Sequence, residues 1–67
     1  MSIAKVTEIS AESPQGFEAA IREGLTRASK TLKNIQGAWV KEQHVRVEGN
    51  QVKAYRVHLK ITFILED

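Results

Sequence analysis

The sequence predicts an α+β fold with elements in the order β-α-β-β, and three patterns in its 67 residues carry that prediction. Apolar residues recur at helical spacing between Pro14 and Asn34. From Tyr55 to Leu65 they alternate with period two. Between the last two strands sits VEGNQV, whose Gly49-Asn50 pair suits a two-residue hairpin turn.

The first strand is predicted over Ile3 to Ser10, where IAKVTEIS is short and rich in β-branched residues. In the AESPQG that follows, Ser13 is placed as the helix N-cap and Pro14 at the first helical position. Phe17, Ala20, Ile21, Gly24, Ala28, Leu32 and Ile35 form one helical stripe, broadened by Leu25. The opposite side is charged and polar, with Lys30 and Lys33 in the last turns, where cations favour the helix dipole. Gly24 in mid-helix costs about 1 kcal/mol relative to Ala, so it predicts close approach of the helix to a sheet.

If Glu48 faces Gln51 across the turn, Val40 lies opposite Leu59, Ala38 opposite Ile61 and His44 opposite Tyr55, all on the helix side. The same register sends Val47 and Val52, and Val45 and Ala54, to the other face. The apolar set then changes sides along the hairpin. One explanation is a tip that projects past the helix and buries its far face on a neighbouring subunit. The other is a β-bulge that reverses the phase.

The chain is short for a single core, and it has no Cys for a disulfide and no His/Asp/Glu cluster at metal-ligand spacing. One domain over residues 1–67, stabilised by assembly with copies of itself, is therefore expected. A formal net charge of +2, with both signs interspersed, does not suggest nucleic-acid binding. The N-terminus MSIAKVTEIS lacks the apolar run of a signal peptide and no stretch is long enough to span a membrane, so the expected setting is cytoplasmic.

Catalysis finds little support. The only histidines, His44 and His58, fall on opposite faces by the alternation above. No nucleophile has an adjacent base, no Gly-rich phosphate loop is present, and no carboxylates pair in apolar surroundings. Ser10, Glu12 and Ser13 read as cap and turn residues. Glu8, Glu66 and Asp67 offer oxygen ligands for calcium across an interface, although carboxylates near chain ends are usually solvated.

The face away from the helix is more informative. It is expected to carry the sole tryptophan, Trp39, opposite Lys60 and diagonal to His58, with Lys41, Gln43 and Arg56 continuing the row. Trp39 has three readings: a ring covering the stems of Lys60 and His58, a subunit-interface anchor, or a platform on which a planar ligand stacks while a cation meets its anionic group.

Over essentially the whole chain the sequence resembles the dodecins. The resemblance is carried by SAESPQGFEAAIREGLTRASKTLKNI, by Val40-Lys41-Glu42 and by the closing AYRVHLKITFILED. It implies a three-stranded antiparallel sheet wrapped around one helix, assembly into a hollow homododecamer, and a non-enzymatic role in binding and storing small molecules. Dodecins typically stack flavins on a Trp of the second strand, and some also bind coenzyme A. Aligned on Thr31-Leu32 and Val40-Lys41-Glu42, this chain has Gly37 where that Trp belongs. Arg56 replaces the Gln that hydrogen-bonds the flavin ring, and offers donors only.

The expected ligand-facing set is Gly37, Trp39, Gln43, Arg56, His58 and Lys60, with flavin binding weak or lost. FMN and riboflavin stay candidate ligands, with coenzyme A and a metal ion behind them. The alternatives are a true flavin-binding dodecin whose shifted pocket uses Trp39 and Arg56, and a structural or partner-binding shell.

Overall fold

The computed structural model describes residues 3–65. The elements are β1 (Ile3–Ser13), α1 (Phe17–Ala28), β2 (Ile35–Glu48) and β3 (Gln51–Leu65). The strands form one antiparallel sheet in the order β1-β3-β2, so the most regularly alternating strand is central. Leu65 is its last described residue, and Glu66 and Asp67 lie outside the described residues.

β1 runs three residues further than the sequence suggests, and the helix is shorter at both ends. Ser13 does not cap the helix. It is the last residue of β1, buried opposite Tyr55, and its Oγ accepts a hydrogen bond from the backbone N–H of Gln15 at 3.1 Å. The helix starts instead after Gly16, whose φ of 148° excludes most other residues. At the other end Leu32 still packs on the core from a tight turn, its N–H bonded to the Ala28 carbonyl. Asn34, with φ 60°, then turns the chain into β2. The helical period therefore outlasts the helix because the turn keeps burying the same side.

One face of the sheet carries the core. Val57, Leu59 and Ile61 of β3 are fully buried against Ala20 and Ala28 of the helix, with Ile9 and Ala11 of β1 beside them. Phe17 meets Tyr55 edge to face, ring centroids 5.1 Å apart. A Cβ on Gly24 would lie 2.9 Å from Ala11 Cβ, which is the close approach its place in the helix implied.

The hairpin corrects the simple register. Gly49 and Asn50 both have positive φ, as the tight turn requires. The predicted partners hold from Gly37 to Val40 and again at Val47 and Glu48. Between them the pairing slips by one residue, because Lys41 bulges from β2 and Lys53 from β3, and the two bulges cancel. His44 consequently lies opposite Arg56 rather than Tyr55, and Val45 opposite Tyr55 rather than Ala54. Val45, Val47 and Val52 thus stay on the helix side. The apolar set does not change sides, and the bulge explanation is the right one.

A 12-residue helix is roughly 18 Å long, whereas a 15-residue strand reaches roughly 50 Å. The described chain measures 52 × 19 × 13 Å. The hairpin therefore runs far past its helix, and β2 is exposed along its length apart from half-buried Ile35.

Candidate functional site

The face away from the helix is organised in rows across β1, β3 and β2. Directly opposed residues share a face, so the registers give Val6, Thr62 and Gly37 in one row and Glu8, Lys60 and Trp39 in the next. Ser10, His58 and Glu42 follow, and then Glu12, Arg56 and His44. Trp39 is three-quarters exposed and stands opposite Lys60, as the sequence places it. Gly37 lies one row away on the same face, with open space around the position of a Cβ.

Five of the six candidate residues share this face: Gly37, Trp39, Arg56, His58 and Lys60. Gln43 does not. The bulge at Lys41 shifts it opposite Val57, on the helix side. The same bulge brings His44 onto the far face with His58, so the two histidines are not separated by the sheet. Among the described residues no three His, Cys, Asp or Glu side chains converge as a metal site.

Two carboxylates on β1 set the charge pattern. His58 Nε2 lies 2.6 Å from a Glu8 carboxylate oxygen, and Lys41 Nζ reaches the same oxygen at 3.5 Å. With Nε2 donating, the His58 Nδ1 accepts from the Ser10 hydroxyl at 3.1 Å. The His58 hydrogen bond holds the Glu8 carboxyl below its ordinary range; partial desolvation opposes this and Lys41 reinforces it. Two rows further on, Glu12 meets Arg56 at 3.1 Å and Arg46 at 3.5 Å, and Arg46 also pairs with Glu48. Each glutamate thus ties β1 to both other strands. The cations of the face are largely neutralised from within, and among the described residues Lys60 has no carboxylate within 4.0 Å.

Reading Ser10 and Glu12 as cap and turn residues missed these roles. The signal was present, since Glu8, Ser10 and Glu12 alternate and fall on one face once β1 continues to Ser13. No feature of the sequence showed that Glu12 would collect two arginines, or Glu8 a lysine and a histidine. A groove of about 400 Å³ lies elsewhere, between β1 and the helix beside Ala11, Gly24 and Arg27. The far-face residues lie on an open surface, which gives a ligand one wall.

A sequence model of the family described as Dodecin matches residues 3–66. A dodecin of Thermus thermophilus is 40% identical over 63 residues, covering 94% of this chain and 91% of its own. Calcium dodecin of Mycobacterium tuberculosis is 35% identical over 63 residues, with 94% and 89% covered. Among solved structures, the dodecin from Streptomyces davaonensis superposes with a TM-score of 0.94 at 35% identity, covering 98% of this chain and 97% of that one. No helix among the described residues is long and apolar enough to cross a membrane.

Proposed function

The chain belongs to the dodecin family, and from that premise we propose that it is a non-enzymatic small-molecule binding and storage protein, assembled as a homododecamer, with weak or lost flavin binding. The observation that carries the flavin part is Gly37, a bare position where the resemblance expects a stacking Trp. Trp39, two residues on, is displaced by roughly 6–7 Å along the strand. Arg56 strengthens the reading, because its guanidinium is engaged by Glu12 and so does not replace the donor and acceptor of a Gln amide. Gly37, Trp39, Arg56, His58 and Lys60 are the wall that one subunit offers a ligand, and a neighbouring subunit supplies the opposite wall.

Assembly is supported by the hairpin. Val45, Val47 and Val52 extend the core face beyond the helix, and an exposed apolar strip of this kind favours a second copy. The same strip supports a second reading, a shell whose assembly matters more than any ligand. The calcium in the name of the M. tuberculosis relative is not carried over, since Glu8 already engages His58 and Lys41.

Titration of riboflavin and FMN, read by flavin fluorescence, tests the binding claim. Weak or absent quenching is expected from the protein, and strong quenching from the Gly37→Trp/Arg56→Gln double variant, whose new ring has open space to occupy. Strong quenching by the unaltered protein that disappears in Trp39→Ala would replace this reading with a shifted flavin pocket. Native mass spectrometry showing only a monomer or dimer would remove the dodecamer.

A further inference from the structure

We propose that the groove between β1 and α1 binds a medium-chain alkyl carboxylate, with its chain along the apolar floor and its head on Arg27 and Lys30. This goes beyond the reading above, and the groove shares no residue with the far-face wall. Its starting point is where small side chains meet. Ala11, Gly24 and Ala28 line the groove with Ile9, and helix and strand touch so closely that a Cβ on Gly24 would lie 2.9 Å from Ala11 Cβ. Side chains this short leave the space beside the contact unfilled. β1 is an edge strand, so no further strand among the described residues closes the opening. The groove, of about 400 Å³, falls within the roughly 300–1,000 Å³ of small-molecule sites.

The charge on the rim is uneven. Glu12, which lines the groove from β1, is held by Arg46 and Arg56. Arg27 and Lys30 line it from the other side, both exposed, and among the described residues neither has a carboxylate within 4.0 Å. That holds even for Glu23, one turn before Arg27 on the same rim. The helix dipole accounts for a cation at Arg27, in the last turn, but not for a second at Lys30, past the helix end and over the same groove. An apolar trough running roughly 10 Å along Ile9 to Glu12, with two free cations on its rim, matches an alkyl chain with an anionic head. The guanidinium offers a carboxylate two parallel donors, and the ammonium adds a third. A neutral chain gains only the apolar floor. The hairpin tip of a second copy matches less well, because Glu48 beside its valines is already paired with Arg46 and would leave Arg27 and Lys30 unmatched.

Nuclear magnetic resonance of the assembled protein, labelled at its alanine methyl groups, tests the proposal. Ala11 and Ala28 report from the groove, and Ala54, which does not line it, is the reference. The probes are octanoate and its neutral counterpart 1-octanol. Both should shift the Ala11 and Ala28 signals saturably, with octanoate binding about fivefold tighter, the advantage of a partly exposed ion pair. The Arg27→Gln/Lys30→Gln double variant should remove that preference. Lys33→Gln, which removes an exposed cation outside the groove, should keep it. Equal affinity for the two probes, or loss of the preference in Lys33→Gln, overturns the charge assignment. Signals that neither probe moves, or that move no more than Ala54, overturn the site. Shifts that appear only in the smaller species of Val47→Asp overturn it as well, and give the groove to a neighbouring subunit. The flavin titration reads the far face, so it stands or falls separately.

Discussion

Leu59 opposite Val40 and Val52 opposite Val47 lie on the same face of the same hairpin, yet they differ sharply in what they contribute to the subunit. Leu59 is fully buried and its edge-strand partner Val40 is 39% exposed, whereas Val52 and Val47 are about half exposed, at 48% and 55%. Period and residue type do not separate the two pairs. What separates them is the helix, which covers the sheet over Val57, Leu59 and Ile61 and ends well before the turn. Alternation thus identifies the apolar side of a strand, while the length of the covering element decides where that side becomes core. Burying an aliphatic side chain of this size is worth about 1.5–3 kcal/mol, so the covered end stabilises the subunit while the bare end leaves that gain unrealised within it.

The largest effect expected from breaking this contrast is at Leu59. Leu59→Ala should lower the unfolding free energy by about 2–5 kcal/mol, measured by chemical denaturation, because the site is closed on all sides. Gly24→Val should follow, at about 1–3 kcal/mol. Even the first added carbon would lie 2.9 Å from Ala11 Cβ, so the helix or β1 must move. Little loss in Gly24→Val would mean that the helix floats on the sheet more loosely than the contact implies.

The bare end should respond oppositely. Val47→Asp and Val52→Asp remove no core contact within the subunit, so far-ultraviolet circular dichroism should be unchanged and subunit stability should move by about 0.5 kcal/mol or less. Assembly is where their effect should appear, as a shift to smaller species in native mass spectrometry. If the oligomer survives both substitutions, the strip is not part of a subunit contact and the comparison between the two ends loses its functional meaning.

These two ends also show how much the sequence could reveal. The element order, the Gly49-Asn50 turn and the close approach at Gly24 were legible, because each depends on local chemistry or on one period. The bulges at Lys41 and Lys53 were not. A bulge changes register by one residue without demanding a special side chain, and two that cancel leave the pairing beside the turn undisturbed. That silent slip moved Gln43 off the far face and His44 onto it. The helix was overestimated because Leu32 packs on its stripe from a turn, and Ser13 could serve a turn as readily as a cap. Of the far face, Trp39 opposite Lys60 was legible from the turn. The pairing of Glu8 and Glu12 with two partners each was not, since it depends on where long side chains reach after the strands are in place.

The smallest expected effect concerns that charged face and depends on pH. The His58 hydrogen bond, with Lys41 beside it, holds the folded-state pKa of Glu8 below its ordinary value of 4.5. A carboxylate lowered in this way binds protons more weakly in the folded than in the unfolded chain, so its contribution is fully present above about 4.5 and fades as pH falls through the lower folded value. Glu8→Gln keeps the shape but removes the ionisation. At neutral pH it should cost a little stability, because the pair is solvent-exposed and screened. Below the folded-state pKa of Glu8 the difference from the unaltered protein should vanish, leaving a flatter acid limb in a thermal-unfolding series. If Glu8→Gln shows the same stability difference at every pH, the carboxyl owes its role to shape alone, and the His58 rung carries no charge-dependent link between the covered and bare ends of the sheet.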